Sequence, residues 1–88
     1  MDEQKIFERI REVLVKRLAV EPDAVKRDSR LKEELEVDSL DLVELSILVE
    51  EEYGIDIFDE QIGDIETVGD VVDLIMRVSA SSTGGEGR

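Results

Sequence analysis

The chain predicts an all-α fold: a small four-helix bundle, three longer helices and one short, with a long loop between the first and second. Three observations carry this reading. Apolar residues recur at helical spacing in three separate stretches. Cap-forming residues stand before those stretches. The one segment with partial alternation, Ile55-Asp56-Ile57-Phe58, has no second strand to pair with. At 88 residues the chain makes one domain, whose size limits the surface it can bury.

The first helix is expected over Gln4–Leu18. Ile6, Ile10, Val13, Leu14 and Leu18 form one buried stripe, and Lys5, Arg9, Glu12 and Lys16 lie opposite. Ala19 to Asp28 is a connector in which Pro22 can start a short turn. From Asp28 to Asp38 the chain reads as a loop pinned by Leu31 and Leu35. The second helix is expected over Ser39–Tyr53. Asp38 suits its N-cap, Asp41 completes a capping box, and Gly54 is a natural stop. A connector with Ile55 and Ile57 buried leads to a short third helix over Asp59–Ile65. The fourth is expected over Val68–Ser79, with Thr67 and Asp70 as its capping pair and Val68, Val71, Val72 and Ile75 buried. Residues 1–80 therefore form the domain. Residues 81–88, small, polar and Gly-rich, are expected to be a disordered tail.

Composition narrows function. The chain has no Cys and no His. Disulfides and thiolate sites are excluded, and so are Ser-His-Asp and Cys-His catalytic groups made from this chain alone. An enzyme is not expected, nor a metal site: Asp56, Asp59 and Glu60 lack the spacing of a calcium loop. No apolar run is long enough to cross a bilayer, and Met1-Asp2-Glu3-Gln4-Lys5 does not begin a signal peptide, so a cytoplasmic location is expected. The formal net charge is −13, and no Lys or Arg occurs between Glu33 and Met76. This charge opposes nucleic-acid binding and favours basic protein partners.

The second helix is apolar on more than one side. Leu42, Leu45, Val49 and Tyr53, with Leu48 adjoining, supply one stripe. Leu40, Val43 and Ile47 make a second, beside Asp41, Glu44 and Glu51. Two arrangements satisfy this pattern. Either the second stripe is a docking surface whose carboxylate rim steers partners, or the helix is central and buried nearly all round.

Asp38-Ser39-Leu40-Asp41, Val43-Glu44-Leu45, Glu50-Glu51-Glu52-Tyr53 and Thr67-Val68, in an acidic helical chain of this length, resemble the acyl carrier protein family. The resemblance covers Ile6 to Val78. It implies that Ser39 receives 4'-phosphopantetheine from coenzyme A through a separate, Mg2+-dependent phosphopantetheinyl transferase, with Asp38 and Leu40 beside the attachment point. The arm's thiol would hold acyl groups as thioesters, which suits a chain without cysteine. Acyl-processing enzymes with basic patches would dock on the second helix through Asp38, Leu40, Asp41, Glu44 and Ile47, with Val43, Glu50 and Glu51 continuing the surface. An acyl chain would enter the bundle near Val43, Val49, Ile62 and Ile65. A monomer engaging neither nucleic acid nor membrane is expected.

The sequence departs from the family's pattern at four places. Glu36 stands where Gly is common, Phe58 where Pro is common, Ile47 where Met is frequent, and Ile62 where a small residue is usual. If residue 36 is left-handed, the missing glycine costs about 1 kcal/mol. The other class of function compatible with the sequence is an unmodified acidic helical adaptor that binds basic proteins.

Overall fold

The computed structural model describes the backbone of residues 2–57 and 59–86 and the side chains of residues 2–57 and 61–79. Four helices follow one another: α1 (Glu3–Leu18), α2 (Ser39–Tyr53), α3 (Asp59–Gly63) and α4 (Val68–Glu86), with a 3-10 turn at Pro22–Ala24. The all-α expectation is met. Among the described residues the β structure is one isolated bridge between Arg30 and Thr67.

Local chemistry sets the helix ends. Asp2 accepts the Gln4 N–H at 3.0 Å, which starts α1 one residue before the expected Gln4. Lys16 and Arg17 sit at its negative end. The helix stops at Ala19, which is left-handed at φ 57°. The start of α4 is held reciprocally: Asp70 donates its N–H to Thr67 Oγ1 at 3.1 Å, and Thr67 donates its own to Asp70 Oδ2 at 3.0 Å. A further N–H, from Glu66, reaches the same Asp70 oxygen at 2.9 Å. These donors hold the Asp70 carboxyl below the usual carboxylate range, the Glu66 N–H contributing most.

Two helix ends differ from the sequence expectation. α3 stops at Gly63 rather than Ile65. α4 passes the expected end at Ser79 and continues to Glu86, through the segment read from sequence as a disordered tail. No Pro or Gly interrupts Ala80 to Thr83, and a helix already formed propagates at little cost per residue; its last turn also takes in Gly84 and Gly85, for which helix propensity gives no reason. Phe58 and residues 87–88 lie outside the described residues.

The core joins Ile6, Ile10, Val13 and Leu14 of α1 to Leu42, Leu45 and Val49 of α2 and to Val68, Val71, Val72 and Ile75 of α4. α1 packs chiefly on α4, and α2 bridges α1 and α3. Each Leu or Ile fully removed from water here contributes about 1.5–3 kcal/mol. Arg9 bridges α1 to α2 through Glu52 at 3.0 Å, an exposed pair of small energetic weight.

The long loop is fixed at both of its expected anchors, with Leu31 and Leu35 buried and Val20, Val25 and Val37 joining them. The loop is also sewn to the start of α4. Leu31 donates to Glu66 O at 2.9 Å, Val68 to Ser29 O at 3.0 Å, and Gly69 to Arg27 O at 2.8 Å. A Cβ at residue 69 would lie 2.9 Å from that same Arg27 oxygen, so the approach requires glycine. Ser29 is itself buried and donates its hydroxyl to Ala24 O at 2.7 Å. Among the described residues no helix is long and apolar enough to cross a membrane.

Candidate functional site

The loop delivers the chain to α2 through two constrained residues. Glu36 is left-handed at φ 56°, the strained conformation that the missing glycine implied. Val37, buried, donates its N–H to Leu31 O at 2.8 Å. Asp38 then turns outward and caps the helix. Its Oδ1 accepts the Asp41 N–H at 2.9 Å, and Asp41 Oδ2 accepts the Asp38 N–H at 3.2 Å. The expected capping box is complete.

Ser39 is the first residue of α2 and exposed. Its hydroxyl takes no part in the cap, because Asp38 and Asp41 satisfy each other. It lies in a shallow depression of about 290 Å³ shared with Lys32, Glu36, Val37 and Asp38. A hydroxyl on an open surface, over a helix start whose first N–H groups lack intrahelical partners, is accessible to a modifying enzyme and suited to a phosphate.

The structure decides between the two arrangements of α2. Leu42, Leu45 and Val49 are buried at 4%, 3% and 3% exposure. Leu40, Val43 and Ile47 are 79%, 45% and 48% exposed, and they stand out as the large exposed apolar residues of the described chain. One side of α2 therefore faces α1 and the core, and the other faces solvent. Glu44 and Glu51, two helical turns apart and both exposed, follow one edge of the open stripe. Asp41 is half-buried. Glu50 has a structural role that its place in the acidic run concealed: its Oε2 accepts the Ile57 N–H at 2.7 Å and fixes the connector after α2. Gly54 ends the helix in the left-handed conformation at φ 64°.

The four residues expected around an acyl chain are placed differently from one another. Val49 is buried, Ile62 and Ile65 are half-buried against the core, and Val43 points outward. Val49 lines a cavity of about 250 Å³ between α1 and α2, with Arg9, Ile10, Val13, Leu48 and Tyr53. Ile65 borders another, near Arg30 and Glu33. Burial raises the Tyr53 phenol above its ordinary range. Among the described residues no cluster of carboxylates is arranged to hold a metal ion. The side chains of Asp59 and Glu60 lie outside them.

An exposed serine at a helix start stands beside an apolar stripe with an acidic edge, the arrangement that the family resemblance implies for a phosphopantetheine-bearing carrier. The family model describing a phosphopantetheine attachment site matches residues 8–75. The acyl carrier protein of Wolinella succinogenes is 50% identical over 70 residues, covering 80% of this chain and 92% of that one. That of Sulfurovum is 47% identical over 73 residues, covering 83% and 97%. Among solved structures, the acyl carrier protein of Thermotoga maritima superposes with a TM-score of 0.81 at 26% identity, covering 92% of this chain and 94% of its own. That of Enterococcus faecalis gives 0.74 at 29% identity, covering 89% and 99%. The chain belongs to the acyl carrier protein family. It is a carrier with a 4'-phosphopantetheine prosthetic group, of the kind used in fatty-acid or polyketide synthesis.

Proposed function

We propose that Ser39 is the attachment residue and that acyl intermediates travel as thioesters on the arm it bears. The observation that carries this is the free position of the Ser39 hydroxyl: exposed at the first turn of α2, with capping done by Asp38 and Asp41. With no His or Cys in the chain, the base that activates Ser39 belongs to the transferase, and the reactive thiol belongs to the arm. The chain itself catalyses no step.

The docking surface is Leu40, Val43 and Ile47, with Asp38, Asp41, Glu44 and Glu51 as the acidic groups that steer a basic partner. The outward position of Val43 supports docking rather than an acyl pocket. Glu50 serves the connector, which leaves it a smaller part in docking. Inside the bundle Val49, Ile62 and Ile65 are the proposed contacts for an acyl chain. The protein works as a monomer in the cytoplasm with the phosphopantetheinyl transferase and acyl-processing enzymes, and binds neither nucleic acid nor membrane.

Intact mass after incubation with coenzyme A, Mg2+ and a broad-specificity transferase tests the central claim. One phosphopantetheine is added to the wild type and none to Ser39→Ala. A folded, initially unmodified wild-type protein that gains no mass refutes the attachment and favours an acidic adaptor that uses the α2 surface unmodified.

A further inference from the structure

The depression that holds Ser39 contains one cation, Lys32, among the carboxylates of Glu36 and Asp38. Lys32 is the last basic residue before Arg77. Its backbone is held firmly. The preceding Leu31 is fully buried, donates to Glu66 O at 2.9 Å and accepts the Val37 N–H at 2.8 Å. That last bond closes residues 31–37 into a loop and brings Lys32 beside the approach to α2. With Leu31 turned inward, Lys32 is exposed.

Its neighbours are already engaged. Glu33 pairs with Arg30 at 3.3 Å, and Glu34 Oε1 accepts the Arg30 N–H at 2.7 Å. Lys32 forms no ion pair with any described residue, although it borders a second depression that includes Glu33 and Glu66. An exposed, flexible ammonium without an ion-pair partner among the described residues therefore shares the depression of Ser39.

A phosphodiester placed on Ser39 brings one more negative charge into a position flanked by Glu36, Asp38 and Asp41. Two features of the chain oppose that repulsion: the N–H groups at the start of α2 and the Lys32 ammonium, which can make a charge-assisted hydrogen bond to a phosphate oxygen. We propose that Lys32 holds the phosphodiester of the prosthetic group and thereby pins the root of the arm to the 31–38 loop, leaving its thiol end free. The assignment rests on Ser39 being the attachment residue, and the experiment separates the two.

The holo-protein is prepared with coenzyme A and a transferase. Intact mass first establishes one arm per chain. The 31P resonance is then followed across a salt series in the wild type, Lys32→Gln, Lys32→Arg and a control with the same charge change on α1, Lys16→Gln. An exposed ion pair is screened by salt. The wild-type resonance therefore moves with salt toward the Lys32→Gln position, while that of Lys32→Gln stays still. Lys32→Arg and Lys16→Gln follow the wild type. Fully modified Lys32→Gln with the same resonance and the same salt response as wild type overturns the proposal. A wild type that gains no arm overturns the attachment reading, and this one with it.

Discussion

Glu36→Gly should make the protein more stable, although it deletes a side chain. Glu36 is held at φ 56° and is exposed, so its backbone is strained and its side chain contributes no packing. The left-handed conformation costs an L-residue about 1–2 kcal/mol, which glycine avoids. The extra freedom of glycine in the unfolded chain offsets about 0.4–1 kcal/mol of that gain. With both ranges taken near their middle, the net is about 0.5–1 kcal/mol of added stability. For a domain of this size the midpoint of thermal unfolding rises by about 2–8 °C. Charge complicates the reading, because a chain at −13 also gains from losing a carboxylate. Glu36→Gln separates the two effects: it removes the charge and keeps the Cβ. Thermal unfolding of the apo-protein at one salt concentration compares all three chains. The difference between the Gly and Gln variants is the backbone contribution. A glycine variant no more stable than the Gln variant refutes the strain argument. Ala19→Gly, at φ 57°, should move in the same direction.

Ile47→Asp should leave the unfolding midpoint within a few degrees of wild type, since Ile47 is 48% exposed, yet weaken binding to an acyl-processing enzyme. Loss of about 1.5–3 kcal/mol of docked apolar contact corresponds to a dissociation constant raised roughly 10- to 100-fold. Titration calorimetry measures this, and a large stability loss with unchanged affinity would sink the docking assignment. Gly69→Ala should destabilise by about 1–3 kcal/mol, because the new Cβ meets the Arg27 carbonyl oxygen at 2.9 Å. A denaturation midpoint at or above wild type would show that the loop yields easily. Asp70→Asn should cost about 1 kcal/mol near neutral pH, discounted for partial exposure from the value of a charged hydrogen bond. The carboxyl titrates lower when folded than when unfolded. Its stabilisation is therefore present above the usual carboxylate range and is lost as pH falls through the lowered folded value. The gap between wild type and Asp70→Asn should close in acid, and a gap independent of pH would contradict the role given to its ionised form.

What the sequence by itself determined is local. The capping pairs Asp38/Asp41 and Thr67/Asp70, the stop at Gly54, and the stripe Ile6, Ile10, Val13 and Leu14 are all set by residues within a few turns of one another. Helix ends and amphipathic faces obey rules of that range. The attachment candidate came from the family resemblance around Asp38-Ser39-Leu40-Asp41, and the local capping rule added only that Ser39 stands beside a cap that has no need of it. Other features required the assembled fold. Periodicity found two apolar stripes on α2 and had no means to say which one α1 and the core would cover. The structural role of Glu50 depends on the connector folding back so that Ile57 donates to it. Gly69 is needed because Arg27, far away in sequence, brings its carbonyl against α4. The strain at Glu36 became a fact only when the buried Leu31, Leu35 and Val37 forced the loop to turn there. The proximity of Lys32 to Ser39 follows from that same closure, through the bond between Val37 N–H and Leu31 O. Sequence specifies what each segment prefers; which preferences are buried, strained or brought together is decided by contacts between segments, and those exist only once the chain has packed.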